Sequence, residues 1–121
     1  LHKPAGTPGG GVQPRRYGGL CLPVQEACAA GLAVLMSDLT PNRAWPGPRV
    51  PAQFWRKVTM PCGRVAVHDV SPITLAAAMD TMADPAYRAE AQAESRAWAA
   101  AHSWDVMAPR WLTMMAEPQA A

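Results

Sequence analysis

The chain is 121 residues long, half of them apolar, with 13 prolines, 9 glycines and a formal net charge of +2. That length supports one ordinary domain with a single core, and so much apolar content at so little net charge excludes a wholly disordered chain. No run approaches the ~18 continuous apolar residues of a membrane-spanning helix, no signal-peptide pattern is present, and three cysteines without paired spacing argue against a disulfide framework, so a reducing cytoplasm is the expected setting.

In chain order, residues 1–13 (LHKPAGTPGGGVQ) show no apolar period and read as a flexible arm. Gly6, Gly9 and Gly11 do not make a dinucleotide-binding loop, because neither the preceding strand nor the following helix is indicated. After the turn-prone Arg15-Arg16-Tyr17-Gly18-Gly19, Pro23 can open a helix at no cost in hydrogen bonds. Val24 to Ala30 continue it, and Gly31 provides a left-handed stop. Leu32 to Met36 form a short continuous apolar run, the pattern of a buried parallel strand, which Ser37-Asp38 leaves for a polar loop. Five prolines (Pro41, Pro46, Pro48, Pro51, Pro61) make 41–63 irregular, apart from a short turn around Gln53 to Val58.

Arg64 to Val70 reads as a second strand, with Val65 and Val67 inward and Ala66 and His68 outward. Ser71-Pro72 and Asp84-Pro85 each combine a capping side chain with an early proline, so each starts a helix. The first carries Leu75, Ala78, Met79 and Met82 at helical spacing, and the second extends to about Ala101. A last helix follows Ser103, with Trp104, Met107, Ala108, Trp111, Leu112 and Met115 as an apolar face that reads as core or domain contact, and with Pro109 expected to kink it. Loop, short helix, glycine, buried strand and polar loop are half of a βαβ layer. The fold class expected is α/β, a partial Rossmann-like parallel sheet with flanking helices and a helical C-terminal half.

Composition divides the chain. Residues 1–63 contain all nine glycines and nine of the prolines; residues 1–64 carry eight Lys/Arg against two Asp/Glu, and 65–121 carry three against seven. Metal binding is not indicated: His2, His68 and His102 are scattered, and Cys21, Cys28 and Cys62 lack C-x-x-C spacing. No G-x-S-x-G elbow is present, and no glycine is followed by Lys and then Ser or Thr, so a hydrolase elbow and a Walker loop find no support. The acids of the turn-rich half are Glu26 and Asp38 alone. Glu26 falls in the first turns of the short helix, where a carboxylate can accept two hydrogen bonds from a vicinal diol such as a ribose. The same helix start, with Gly18 and Gly19 before it, can offer backbone N–H groups to a diphosphate, and Arg15 and Arg16 lie just upstream as charge on the phosphate side. A dipole-stabilised glutamate beside a solvated arginine pair is the plainer account of the same residues.

Residues 14–38 resemble the donor-binding segment of the group 1 (family 4) glycosyltransferases, two-domain enzymes of the GT-B fold. Pro14, Gly19, Leu22-Pro23, Glu26-Ala27, Ala29, Gly31, Val34 and Ser37-Asp38 fall in register with the family pattern, and the RRYGGLCLP stretch is similar to glycosyltransferase-like proteins of phages and actinobacteria. The likeness is looser over 39–116. It implies the following division: 1–13 an arm, 14–116 an incomplete C-terminal nucleotide-sugar-binding domain, 117–121 a tail. It further implies retaining transfer of a sugar from a nucleotide-diphosphate donor, without a metal or other cofactor. Glu26 would hold the donor ribose, and the backbone of Gly19, Leu20, Cys21 and Leu22 the donor sugar and diphosphate. The family's first glutamate corresponds to Gly18 here, which leaves the sugar-contacting role to another residue, and the catalytic residues are not identified.

The acceptor is unnamed, and the N-terminal acceptor domain would lie outside this chain, which opens on Leu1 and is expected to be a piece of a longer protein, inactive by itself. A degenerate, non-catalytic nucleotide-sugar-binding or interaction module is the alternative. A basic nucleic-acid binder is not expected, since aromatic interleaving is thin.

Overall fold

The computed structural model describes residues 10–16 and 21–116. Gly10–Gln13, expected to belong to the arm, is strand β1; it pairs in parallel with β2, Ala33–Ser37, in the register Gly10–Ala33 to Gln13–Met36. Two glycines and four residues leave no periodic signal, so the pairing with β2 decides the conformation. The two-residue β3, Arg49–Val50, adds to the other edge of β2, again in parallel, and gives the order β1-β2-β3. The molecule is thus α/β, a small parallel sheet with flanking helices and a helical C-terminal part.

Helix α1, Leu22–Ala29, crosses over from β1 to β2. It begins one residue earlier than Pro23 alone would indicate. Its end follows the glycine rule: Gly31 has φ 69°, its N–H donates to the Cys28 carbonyl at 2.9 Å, and the Leu32 N–H reaches back to the Ala27 carbonyl at 2.9 Å. β2 is buried along its whole length. Its alternate residues face two cores. Val34 and Met36 pack with Cys21, Val24 and Cys28 of the α1 side and with Trp45. Ala33 and Leu35 pack with Val50, Met82 and Ala91 on the other side.

Residues 40–60 are more regular than their prolines suggest. Thr40–Ala44 is a short 3-10 helix, tied to β2 by the buried Asn42, whose Nδ2 donates to the Ser37 carbonyl at 2.7 Å. Gly47 passes directly over β2 with φ 101°, and a Cβ on it would lie 2.5 Å from the Val34 carbonyl oxygen. Its neighbour Pro48 accepts the Met36 N–H at 3.2 Å. The expected turn at Gln53 to Val58 is instead the middle of a nine-residue strand, β4, Ala52–Met60. Pro51 and Pro61 stand just outside it, where a proline removes no ladder hydrogen bond. β4 pairs antiparallel with β5, Gly63–Val70, across the Pro61-Cys62 turn, with an irregularity between Phe54 and Arg56. Val67 is buried and Val65 half-buried, as the alternation requires, whereas the outward His68 is half-buried too.

The two capped helices begin where expected. α2, Pro72–Ala83, has the Ser71 Oγ accepting from the Thr74 N–H at 3.5 Å; α3, Pro85–Ala101, has the Asp84 carboxylate accepting from the Tyr87 N–H at 2.8 Å. Leu75, Ala78 and Met82 of α2 face the core, but Met79 is exposed. α3 passes both cores, giving Ala91 to one and Trp98 and Ala99 to the other. α4, Trp104–Ala116, starts on the Ser103 carbonyl, which accepts the Met107 N–H at 2.9 Å, and contains Pro109. Its apolar face does not form core: α4 has no buried residue, and Trp104 is 77% exposed. Met107 and Ala108 of that face are half-buried. Between α4 and the α1–α3 pair a cavity of about 650 Å³ opens instead, lined by Trp45, Trp98, Trp104, Met107 and Trp111. No helix among the described residues is long and apolar enough to cross a membrane.

Candidate functional site

In an open parallel sheet, ligands bind outside the carboxyl ends of the strands, where loops and helix starts converge. Here that edge holds Pro14 to Arg16 as they leave β1, Cys21 at the start of α1, and the turn after Ser37. Most of the expected site therefore falls in one region. Gly18, Gly19 and Leu20 lie outside the described residues.

The loop is anchored at its first residues. The Ser37 Oγ donates to the Arg15 carbonyl at 2.7 Å, and the His68 N–H donates to the Arg16 carbonyl at 2.7 Å. One strand of the sheet and one strand of the hairpin thus hold the chain just as it leaves β1. Arg15 is half-buried; Arg16 is exposed, and its guanidinium is engaged rather than free. It pairs with Asp69 at 2.9 Å and lies 4.6 Å from the centre of the Trp55 ring, with Arg56 4.0 Å from the same ring. The expected role of Arg16 toward a phosphate has to compete with that pairing. Nothing local in the sequence marks Asp69, 53 positions away, or Trp55, 39 positions away, as a partner of Arg16.

Cys21 is buried in the N-cap position of α1 and contributes no side-chain hydrogen bond. Its carbonyl accepts from both Val24 (3.1 Å) and Gln25 (3.3 Å). Pro23 has no N–H, so the first turn offers the Cys21 and Leu22 amides, which have no partner among the described residues. That is a smaller donor set than an ordinary helix start presents. Leu22 is exposed.

Glu26 is the fifth residue of α1, beyond its first turn, so the helix dipole favours it less than its sequence position indicated. It is exposed, one turn above Leu22 on the solvent face, while Val24 and Cys28 face inward. Its carboxylate makes no ion pair or hydrogen bond with any described residue. Asp38, the other acid of the turn-rich half, bonds to Arg43: Nε lies 2.9 Å from Oδ1, and this hydrogen bond holds the Asp38 carboxyl below the ordinary carboxylate range.

The thiols serve no evident chemistry. Burial raises the Cys28 pKa, with a contact to Ser95 acting the other way, so the protonated thiol is favoured; Cys62 is exposed in the hairpin turn. Among the described residues, no three His, Cys, Asp or Glu side chains come together as a metal site. No family model matches the chain, and no curated protein or solved structure was found to match it.

Proposed function

We propose that this chain is the nucleotide-sugar-binding part of a retaining glycosyltransferase of the GT-B type, acting in the cytoplasm with an acceptor domain supplied elsewhere. The observation that carries the reading is a coincidence of sequence and topology. The 25 residues that resemble the donor-binding segment (14–38) begin at the end of β1, form the loop and α1, and finish just beyond β2. Pro14 to Arg16 and the Cys21 start of α1 stand at the carboxyl edge of a parallel sheet, where a diphosphate is ordinarily received.

In this reading the amides of Cys21 and Leu22, without a partner among the described residues, face the diphosphate, and the backbone of Gly19 and Leu20 shares that role. The Glu26 carboxylate, unpaired among the described residues, accepts hydrogen bonds from the ribose hydroxyls. Polar groups without a described partner suit such roles, because binding then breaks none of the described interactions. Gly18 at the position of the family's first glutamate, and the engagement of Arg16 with Asp69, favour the second reading, a non-catalytic nucleotide-sugar-binding or interaction module.

Titration with uridine, guanosine and adenosine diphosphate sugars, followed by thermal melting, tests donor binding. Ligand at about 100 times its dissociation constant stabilises the fold by about 2.7 kcal/mol. Glu26→Ala should weaken binding by roughly 1.5–3 kcal/mol through loss of charge-assisted hydrogen bonds. No melting shift with any of these donors would remove donor binding from this chain, and unchanged affinity in Glu26→Ala would remove the ribose role.

A further inference from the structure

We propose that a second cleft at the same sheet edge, between the turn after β2 and the β4–β5 hairpin, is a binding site for the hydroxyl groups of a single sugar ring. The cavity measures about 230 Å³ and is lined by Asp38, Thr40, Arg43 and His68, with Ala52 and Val65 among its apolar walls. It includes none of the residues assigned above to ribose or diphosphate, and it stands whether or not that assignment does.

Size and charge narrow the ligand class. Drug-sized ligands and cofactors occupy roughly 300–1,000 Å³, so this cleft suits one ring rather than a nucleotide. Asp38 and Arg43 offset each other at 2.9 Å, and a neutral pair on the wall favours neither a free anion nor a free cation. It offers a carboxylate acceptor beside guanidinium donors, the complement of a diol, whose hydroxyls both donate and accept. The Thr40 hydroxyl has no partner among the described residues, and the apolar wall suits the C–H face of a pyranose.

The polar wall is held in place before any ligand arrives. Asn42 anchors the 3-10 helix to the Ser37 carbonyl, and Arg49 Nη2 donates to the Trp45 carbonyl at 2.7 Å and to the Arg43 carbonyl at 3.2 Å. Thr40 and Arg43 therefore sit on a pinned turn, the preorganisation a binding site requires. On the opposite wall the Nδ1 of His68 is buried without a hydrogen-bond partner among the described residues, while the ring packs edge-on against Phe54 at 6.0 Å between centroids. In a neutral ring a buried lone pair costs less than a buried N–H, an arrangement that leaves Nε2 as the donor. A phenyl ring would keep the aromatic contact without the unsatisfied edge, so the contact with Phe54 does not itself call for an imidazole.

The test follows the backbone amides of Thr40 and His68 by NMR in the full chain, with glucose, galactose, uridine diphosphate, uridine diphosphate glucose and inorganic phosphate added separately. Saturable shifts with a free hexose support the proposal and identify the sugar as one that enters unattached. Shifts with uridine diphosphate glucose but not with uridine diphosphate support it and identify the sugar as the donor's. Thr40→Val should weaken the response about three- to tenfold. His68→Phe should abolish it while leaving the melting temperature equal or higher, a combination that a merely structural histidine would not give. Shifts produced by phosphate or by uridine diphosphate alone, or no saturable shift with any sugar, would overturn the proposal.

Discussion

Replacing Gly47 by alanine tests how the sheet edge is built. At φ 101°, an L-residue is strained, at a cost of about 1–3 kcal/mol. The added methyl would also meet the Val34 carbonyl oxygen at 2.5 Å, and that oxygen belongs to the buried central strand. Relief requires moving 46–48 away from β2, which stretches the hydrogen bond from the Met36 N–H to the Pro48 carbonyl and adds roughly 0.5–1.5 kcal/mol. A loss of about 2–4 kcal/mol is expected, a fall in melting temperature of the order of 10 °C. Gly63→Ala separates the two causes. Gly63 has φ 121° but nothing within 4 Å of a new Cβ, so only the backbone strain, about 1–3 kcal/mol, should appear. Urea unfolding of both variants alongside the wild type measures the difference. If Gly47→Ala proves no more destabilising than Gly63→Ala, the close approach of 46–48 to β2 is not what fixes Gly47.

Thiol labelling under native conditions should modify Cys62 fast and Cys21 and Cys28 only after denaturant is added, since the last two are fully buried and the Cys28 thiol is held protonated; rapid native labelling of all three would contradict the α1 packing. The Asp38 carboxyl has its pKa lowered by the Arg43 hydrogen bond. Its contribution is therefore present above the unfolded value of about 3.9 and lost as pH falls through the lower folded value. In urea midpoints measured against pH, the gap between wild type and Arg43→Gln should close on acidification, and a gap constant with pH would count against the pairing. Trp104→Glu with Trp111→Glu should reduce binding of a hydrophobic dye without lowering the melting temperature, because α4 has no buried residue; cooperative destabilisation would mean that these indoles are packed.

What was legible in the sequence is what local chemistry decides. Gly31, Ser71 and Asp84 punctuate helices through their own backbone or side chain, and the apolar run ending at Met36 can only be buried, so α1, β2, α2 and α3 were all readable. β1 was not, because Gly10 and Gly11 acquire their conformation from β2. β4 was hidden for a different reason: Pro51 and Pro61 resemble breaks until one sees that they border the strand rather than interrupt it. The α4 stripe was a correct pattern for a shared face, but of its two readings, core and domain contact, the first is excluded because α4 has no buried residue. Periodicity shows which residues share a face but not what covers it. At the candidate site, the place of Glu26 on α1 and the helix start near Pro23 were readable from the sequence. The capture of Arg16 by Asp69 and Trp55, and the meeting of Thr40 and Arg43 with His68, depend on where the hairpin folds back, which no local signal carries.

The hairpin is joined to the rest of the backbone in a telling way. Among the described residues, apart from its chain ends and the packing of Val67 and Val70, it is held by the His68 N–H on the Arg16 carbonyl, by the Arg16–Asp69 pair and by the Arg16 guanidinium over the Trp55 ring. All three ties meet at Arg16, just beyond the end of β1. The His68 amide is consequently a natural gauge of the chain there: its exchange with solvent deuterium should slow when a ligand steadies the chain at Arg16, even a ligand that never touches the hairpin. One proton, observed without any label on the ligand, can thereby report occupancy of the loop from a neighbouring strand.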